Sequence, residues 1–173
     1  MDLHASFKPG SRALRYGRFS QAGTVYLVTT VTQRREAVFE TLDFARIVVQ
    51  SLRDHDARNW TQTACYVLMP DHLHWLFQLG AGKNLSGLMR DFKGYTGRRI
   101  NRQTGDKKGP VWQEGFHDHA LREEEDLRRM SRYVIRNPLR AGIVDDLRDY
   151  PHWDAWWFRP ERGTPMEAGL LGL

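Results

Sequence analysis

Cysteine is almost absent: Cys65 is the only one in 173 residues. No internal disulfide and no cysteine zinc cluster can form, and a reducing, cytoplasmic setting is expected. Long apolar runs are missing too. No stretch approaches the roughly 18 residues that span a bilayer, so no membrane partner is expected. Met1 to Ser20 carries basic residues but no hydrophobic segment, which argues against a secretory signal. Internal repeats and low-complexity tracts are lacking. What remains is a folding composition, 40% hydrophobic and 27% charged, of a size for one domain with an appendage.

The net charge of +5 is unevenly placed. Residues 1–35 hold six basic residues against one acidic, and residues 83–108 hold eight against two. The rest of the chain has a net charge of −6. Excess charge confined to two stretches fits a polyanion partner, although solubility alone would also account for it.

Thr24 to Thr32 is almost entirely β-branched or aromatic and predicts a strand. Leu42, Ala45, Val48, Val49 and Leu52 recur at helical spacing after Thr41, predicting a helix to about Ala57. Cys65–Met69 and His72–Leu79 read as strands hairpinned across Pro70-Asp71. Leu85, Leu88, Met89 and Phe92 mark a second helix over 84–102, with a basic outer surface. His117–Arg122 reads as a fourth strand and 123–136 as a helix ended by Asn137-Pro138. This order predicts an α+β fold of the ferredoxin-like split βαβ type, an antiparallel sheet with two helices on one face. A C-terminal helical, Trp-rich extension follows. The expected organisation is a domain over 1–145, with a basic arm at 1–23, and a tail over 146–173.

His72 and His74 lie two apart on a strand, so both imidazoles share a face and can reach one divalent ion. Taken alone, such a pair is more often one or two hydrogen-bonded histidines on a half-buried strand. Nucleotide hydrolases of the histidine-triad kind need a further His where Leu76 stands, and amidohydrolase barrels need a longer chain. His117 and His119 form a second pair around Asp118, but a two-motif phosphodiesterase would need a Ser or Thr that neither pair supplies. Tyr95 sits at the edge of the apolar stripe of its helix, with Lys93, Arg98, Arg99 and Arg102 within two turns. Cations and a metal-bound phosphate would favour a nucleophilic phenolate there; an amphipathic boundary tyrosine is the plainer alternative.

Together these segments resemble a known family. Met69-Pro70-Asp71-His72-Leu73-His74 is similar to the HUH motif (His, hydrophobic, His) of single-tyrosine transposases of the IS200/IS605 type. The resemblance is closer to the REP-associated tyrosine transposases. It also runs through Gly23–Thr29, Met89–Thr96, Val111–His119 and Tyr133–Gly142, covering roughly 15–145. It implies that His72 and His74 hold Mg²⁺ or Mn²⁺ and that Tyr95 attacks the scissile phosphate to form a 5′-phosphotyrosine. The implied substrate is single-stranded DNA bearing a hairpin, a REP palindrome with a tetranucleotide at its foot. IS200/IS605-type enzymes take a third metal ligand one turn after the tyrosine, where this chain has Arg99, which cannot serve. His119, Asp118, Asn101 or water are the remaining candidates. Imidazole is softer than Mg²⁺ prefers, which favours Mn²⁺.

The expected phosphate contacts are Arg12, Arg15 and Arg18 of the arm, Arg34 and Arg35, and Lys93, Arg98, Arg99, Arg102, Lys107 and Lys108. Trp112, Phe116, Trp153, Trp156 and Trp157 are candidates for stacking on bases. A monomer is expected, with a dimer as the alternative. Two rival functions stand beside the transposase: a hydrolytic metal phosphodiesterase using His72, His74, His117 and His119, and a hairpin-binding module without catalysis.

Overall fold

The computed structural model describes residues 20–105, 109–122 and 127–155. Arg12, Arg15, Arg18, Lys107, Lys108, Trp156 and Trp157 lie outside them. The elements are β1 (Val25–Val31), α1 (Leu42–Ala57), β2 (Thr61–Met69), β3 (His72–Leu79), α2 (Leu85–Gln103), β4 (His117–Ala120), α3 (Leu127–Ile135), α4 (Asn137–Arg140) and β5 (Trp153–Ala155). The five strands form one antiparallel sheet in the order β4-β1-β3-β2-β5.

Side-chain alternation divides this sheet into two faces. Tyr26, Val28, Leu68, Leu73, Trp75 and Phe77 pack with Ala45, Val48 and Leu52 of α1 and Leu88, Met89 and Phe92 of α2. The two predicted helices thus cover one face. On the other face Cys65, Val67, Met69 and Leu76 pack with Val134 and Ile135 of α3 and with Leu147, Tyr150 and Ala155. The C-terminal extension covers this second face, and its β5 pairs with Cys65–Val67 of β2.

The sequence boundaries hold with local shifts. β2 begins at Thr61, ahead of the expected Cys65, with a register break between Thr63 and Cys65. Asp56 explains the early start: its carboxylate accepts from Thr61 Oγ1 at 2.6 Å and from Thr63 N and Oγ1 at 3.1 and 2.9 Å. β4 stops at Ala120. The chain turns after Ile135 into α4, where Pro138 occupies the first turn, a position that needs no backbone donor. α2 starts at a cap, Asn84 Oδ1 accepting from Gly87 N at 2.7 Å.

Candidate active site

The hairpin turn Pro70-Asp71 delivers His72 as the first residue of β3. His72 and His74 share the parity of Leu76, so they stand on the face covered by the C-terminal elements. Their Nε2 atoms converge to 3.2 Å. Each Nδ1 is occupied. His72 Nδ1 is 2.5 Å from Asp71 Oδ1, and His74 Nδ1 is 2.8 Å from Thr29 Oγ1, on the residue paired with it in β1. A carboxylate only accepts, so His72 Nδ1–H donates to it, and in the neutral ring the lone pair is then on Nε2.

The Thr29 hydroxyl gives the pair two arrangements. If it donates to Nδ1, His74 Nε2–H donates to His72 Nε2 and the pair closes on itself. If it accepts from Nδ1–H, two Nε2 lone pairs point at one spot. Two nitrogens on one ion at about 2.1 Å stand about 3.0 Å apart at a right angle and about 3.4 Å apart at a tetrahedral one. The observed 3.2 Å falls between them. The donor set therefore fits two positions on a divalent cation, with both outer nitrogens held as metal-binding histidines usually are.

Electrostatics keep His74 in the neutral form. Burial pushes His74 down to about 3, with His72 and Arg140 acting in the same sense and Asp71 opposing. It is neutral at any physiological pH. Burial pushes the Asp71 carboxyl up, but His72 and Arg35 outweigh that and hold it below its ordinary value. Arg140 is exposed, and its guanidinium lies over the Tyr133 ring at 4.4 Å.

The third-ligand candidates are not gathered at this pair. β4 lies beside β1, so β1 separates it from the histidine strand. His119 is level with Leu27, and Asp118 is level with Val28, whose side chain belongs to the opposite face. Asn101 donates to Gly109 O at 3.2 Å. Among the described residues no group of three His, Cys, Asp or Glu side chains forms a metal site. His117, across Thr29 from His74, is the β4 residue in line with the pair.

Tyr95 is 39% exposed on α2, with Arg99 at 6.0 Å from its ring. α2, which carries Tyr95, packs over the opposite face of the sheet from the one on which the histidines stand. Buried contacts connect them. Thr96 Oγ1, next to Tyr95, accepts from Trp112 Nε1 at 2.9 Å. Trp112 forms a β-bridge with Thr32, and Thr32 donates through N and Oγ1 to the Asp71 carbonyl at 2.8 and 3.0 Å. The tyrosine helix is thereby fastened to the end of the sheet where His72 begins.

Five of the expected DNA contacts are engaged within the protein itself. Trp112 is 4% exposed, packed between Phe39 and Phe92, and has no face free for a base. Phe116 is half-buried against the same core. The Lys93 ammonium donates to the carbonyls of Gln113 and Gly115, and burial pushes it down to about 8 against the pull of Glu114. Arg35 pairs with Asp71 at 3.0 Å. Trp153 donates to Leu147 O at 3.1 Å and packs on the second core. Arg34, Arg98, Arg99 and Arg102 are exposed. Thr29, Asp71 and Arg140 were not singled out from the sequence. The signals were present, in the Asp before the first histidine and in the Asn-Pro-Leu-Arg turn, but their meaning depends on which strand and helix stand beside β3.

An antiparallel sheet that carries a paired-histidine strand, with a tyrosine helix tied to its end, has the form of a single-tyrosine HUH enzyme. The chain belongs to the IS200-like transposase family, whose sequence profile matches residues 20–137. It is 27% identical over 138 residues to the REP-associated tyrosine transposase of Escherichia coli (strain K12), covering 77% of this chain and 76% of the relative. It also matches a solved structure of a REP-associated tyrosine transposase bound to a REP hairpin, with TM-score 0.62, 25% identity and 80% of each chain covered.

Proposed function

We propose that this transposase is a site-specific endonuclease and strand transferase for single-stranded DNA carrying a REP-type hairpin, with His72, His74 and Tyr95 at its centre. The convergence of two Nε2 atoms at 3.2 Å in a chain of this family carries the reading. His72 and His74 would hold Mg²⁺ or Mn²⁺, with phosphate oxygens and water completing the shell. When bound, the ion neutralises charge on the scissile phosphate and makes its phosphorus easier to attack.

Tyr95 Oη attacks that phosphorus. The P–O3′ bond breaks, the 3′-oxygen leaves with a proton as a hydroxyl, and the 5′-phosphate stays on Tyr95. Attack of a 3′-hydroxyl on the phosphotyrosine reverses the step and rejoins strands without ATP. Arg34, Arg98, Arg99, Arg102 and the arm residues Arg12, Arg15 and Arg18 contact phosphates. Arg140, stacked on Tyr133 near His74, faces the same anion. The proposed working unit is a monomer.

A labelled hairpin oligonucleotide with single-stranded flanks, incubated with Mn²⁺, tests this. A denaturant-resistant adduct is expected, absent in Tyr95→Phe and reduced at least tenfold in His72→Ala and His74→Ala. An adduct that survives Tyr95→Phe would reject the nucleophile, and cleavage without adduct would indicate hydrolysis.

A further inference from the structure

Arg34 and Arg35 are consecutive residues at φ 55°, directly after β1. L-residues with side chains avoid this left-handed region, at about 1–2 kcal/mol each. Such strain survives where the surroundings over-determine the backbone, and it concentrates at functional sites. The surroundings here are explicit. Gln33 N donates to Val111 O at 2.7 Å and Arg35 N to Thr32 O at 3.1 Å. Thr32 Oγ1 donates to Glu36 O at 2.7 Å and to Asp71 O at 3.0 Å. Both sides of the turn are pinned, one of them to the residue that precedes His72.

The turn folds the Arg35 side chain back toward the histidine hairpin. Its Nη1 donates to Asp71 Oδ2 at 3.0 Å, while Asp71 Oδ1 accepts from His72 Nδ1. One carboxylate thus bridges a guanidinium and an imidazole. Asp71 is 21% exposed and Arg35 51%, so the ion pair by itself adds little to stability. Its consequence is geometric. With one oxygen held by Arg35, the other is held at His72 Nδ1. That favours one tautomer and one ring orientation of His72.

We propose that Arg35 is a positioning residue: acting through Asp71, it sets the affinity of the His72–His74 pair for a divalent cation, and it is not a DNA-phosphate contact. The inference rests on the reading of the two histidines as metal ligands. Arg34, one residue earlier and without that ion pair, keeps the phosphate role.

The test measures Mn²⁺ binding by electron paramagnetic resonance on the full chain without DNA. It also measures binding of a hairpin oligonucleotide in EDTA, where no metal contributes. Arg35→Ala and the isosteric Asp71→Asn should each weaken Mn²⁺ binding by about tenfold or more. Arg35→Lys, which keeps a cation beside Asp71, should recover part of the loss. Metal-free hairpin affinity should be unchanged in all three. Asp71→Asn carries the test should Arg35→Ala fail to fold. Full Mn²⁺ affinity in Asp71→Asn, or weakened metal-free hairpin binding with intact Mn²⁺ affinity in Arg35→Ala, would overturn the proposal. A wild-type chain that binds no Mn²⁺, or binds it equally well as His72→Ala/His74→Ala, would instead reject the metal site beneath it.

Discussion

His74 and His55 are both held against a proton by their surroundings. His55 is enclosed by Trp60, Trp75 and Phe92 and sits close to Ser51 O at 2.6 Å; burial lowers it, with Lys83 and Arg58 adding to the effect. His74 is pushed down to about 3. In the unfolded chain both take the ordinary value of 6.5. Below that value the unfolded chain binds protons that the folded chain refuses, so stability falls as pH drops from 6.5 toward 3. Urea midpoints should decline from pH 7 to pH 5, a range where carboxylates titrate little. His55→Phe, which removes one of the two groups, should flatten the decline; an unchanged slope would contradict the assignment. At this scale the sequence discloses the imidazole pair and hides what orients it. Residues i and i+2 on a strand share a face by geometry, so the imidazole pair was legible. Thr29 lies 45 residues from His74, and only the β1–β3 register joins them.

α2 illustrates how an element is placed by a residue outside it. Its apolar stripe was readable, but its position over the sheet end depends on Trp112. By residue type alone that tryptophan is a candidate for stacking on bases. The β-bridge to Thr32 and the Thr96 hydrogen bond make it a core residue instead. Trp112→Phe should keep most of the packing against Phe39 and Phe92 and lose one buried hydrogen bond, about 1 kcal/mol in chemical denaturation. Trp112→Ala should cost about 3–5 kcal/mol through the cavity it leaves. If α2 is held in register by this contact, adduct formation in Trp112→Phe falls further than the stability change accounts for. A Phe variant with undiminished adduct rate would show that Lys93 and the rest of the core suffice. β5 escaped notice for a related reason: three residues, Trp-Asp-Ala, carry no strand pattern and are ordered by pairing with β2.

Across the whole molecule, the sheet separates two jobs. One face is an apolar core under α1 and α2; the other holds the histidine pair beneath the C-terminal elements. The order of strands and helices was legible because each element carries its own period. The position of β4 beside β1 is implied by the split βαβ order, and that order puts β1 between β4 and the histidine strand, away from the third-ligand assignment. Charge divides in the same way: Arg98, Arg99 and Arg102 remain exposed on α2, while Lys93 and Arg35 are spent on the protein itself. The central claim joins the two faces, placing a tyrosine from one at a phosphate held by the other. Trypsin cuts after Lys93 and Arg98, releasing Gly94–Arg98 with a single tyrosine. Mass spectrometry of the nuclease-trimmed, trypsin-digested hairpin adduct tests the claim most directly. The account predicts the nucleotide remnant on the 94–98 peptide; a remnant on any other peptide, such as one carrying Tyr133, would contradict it.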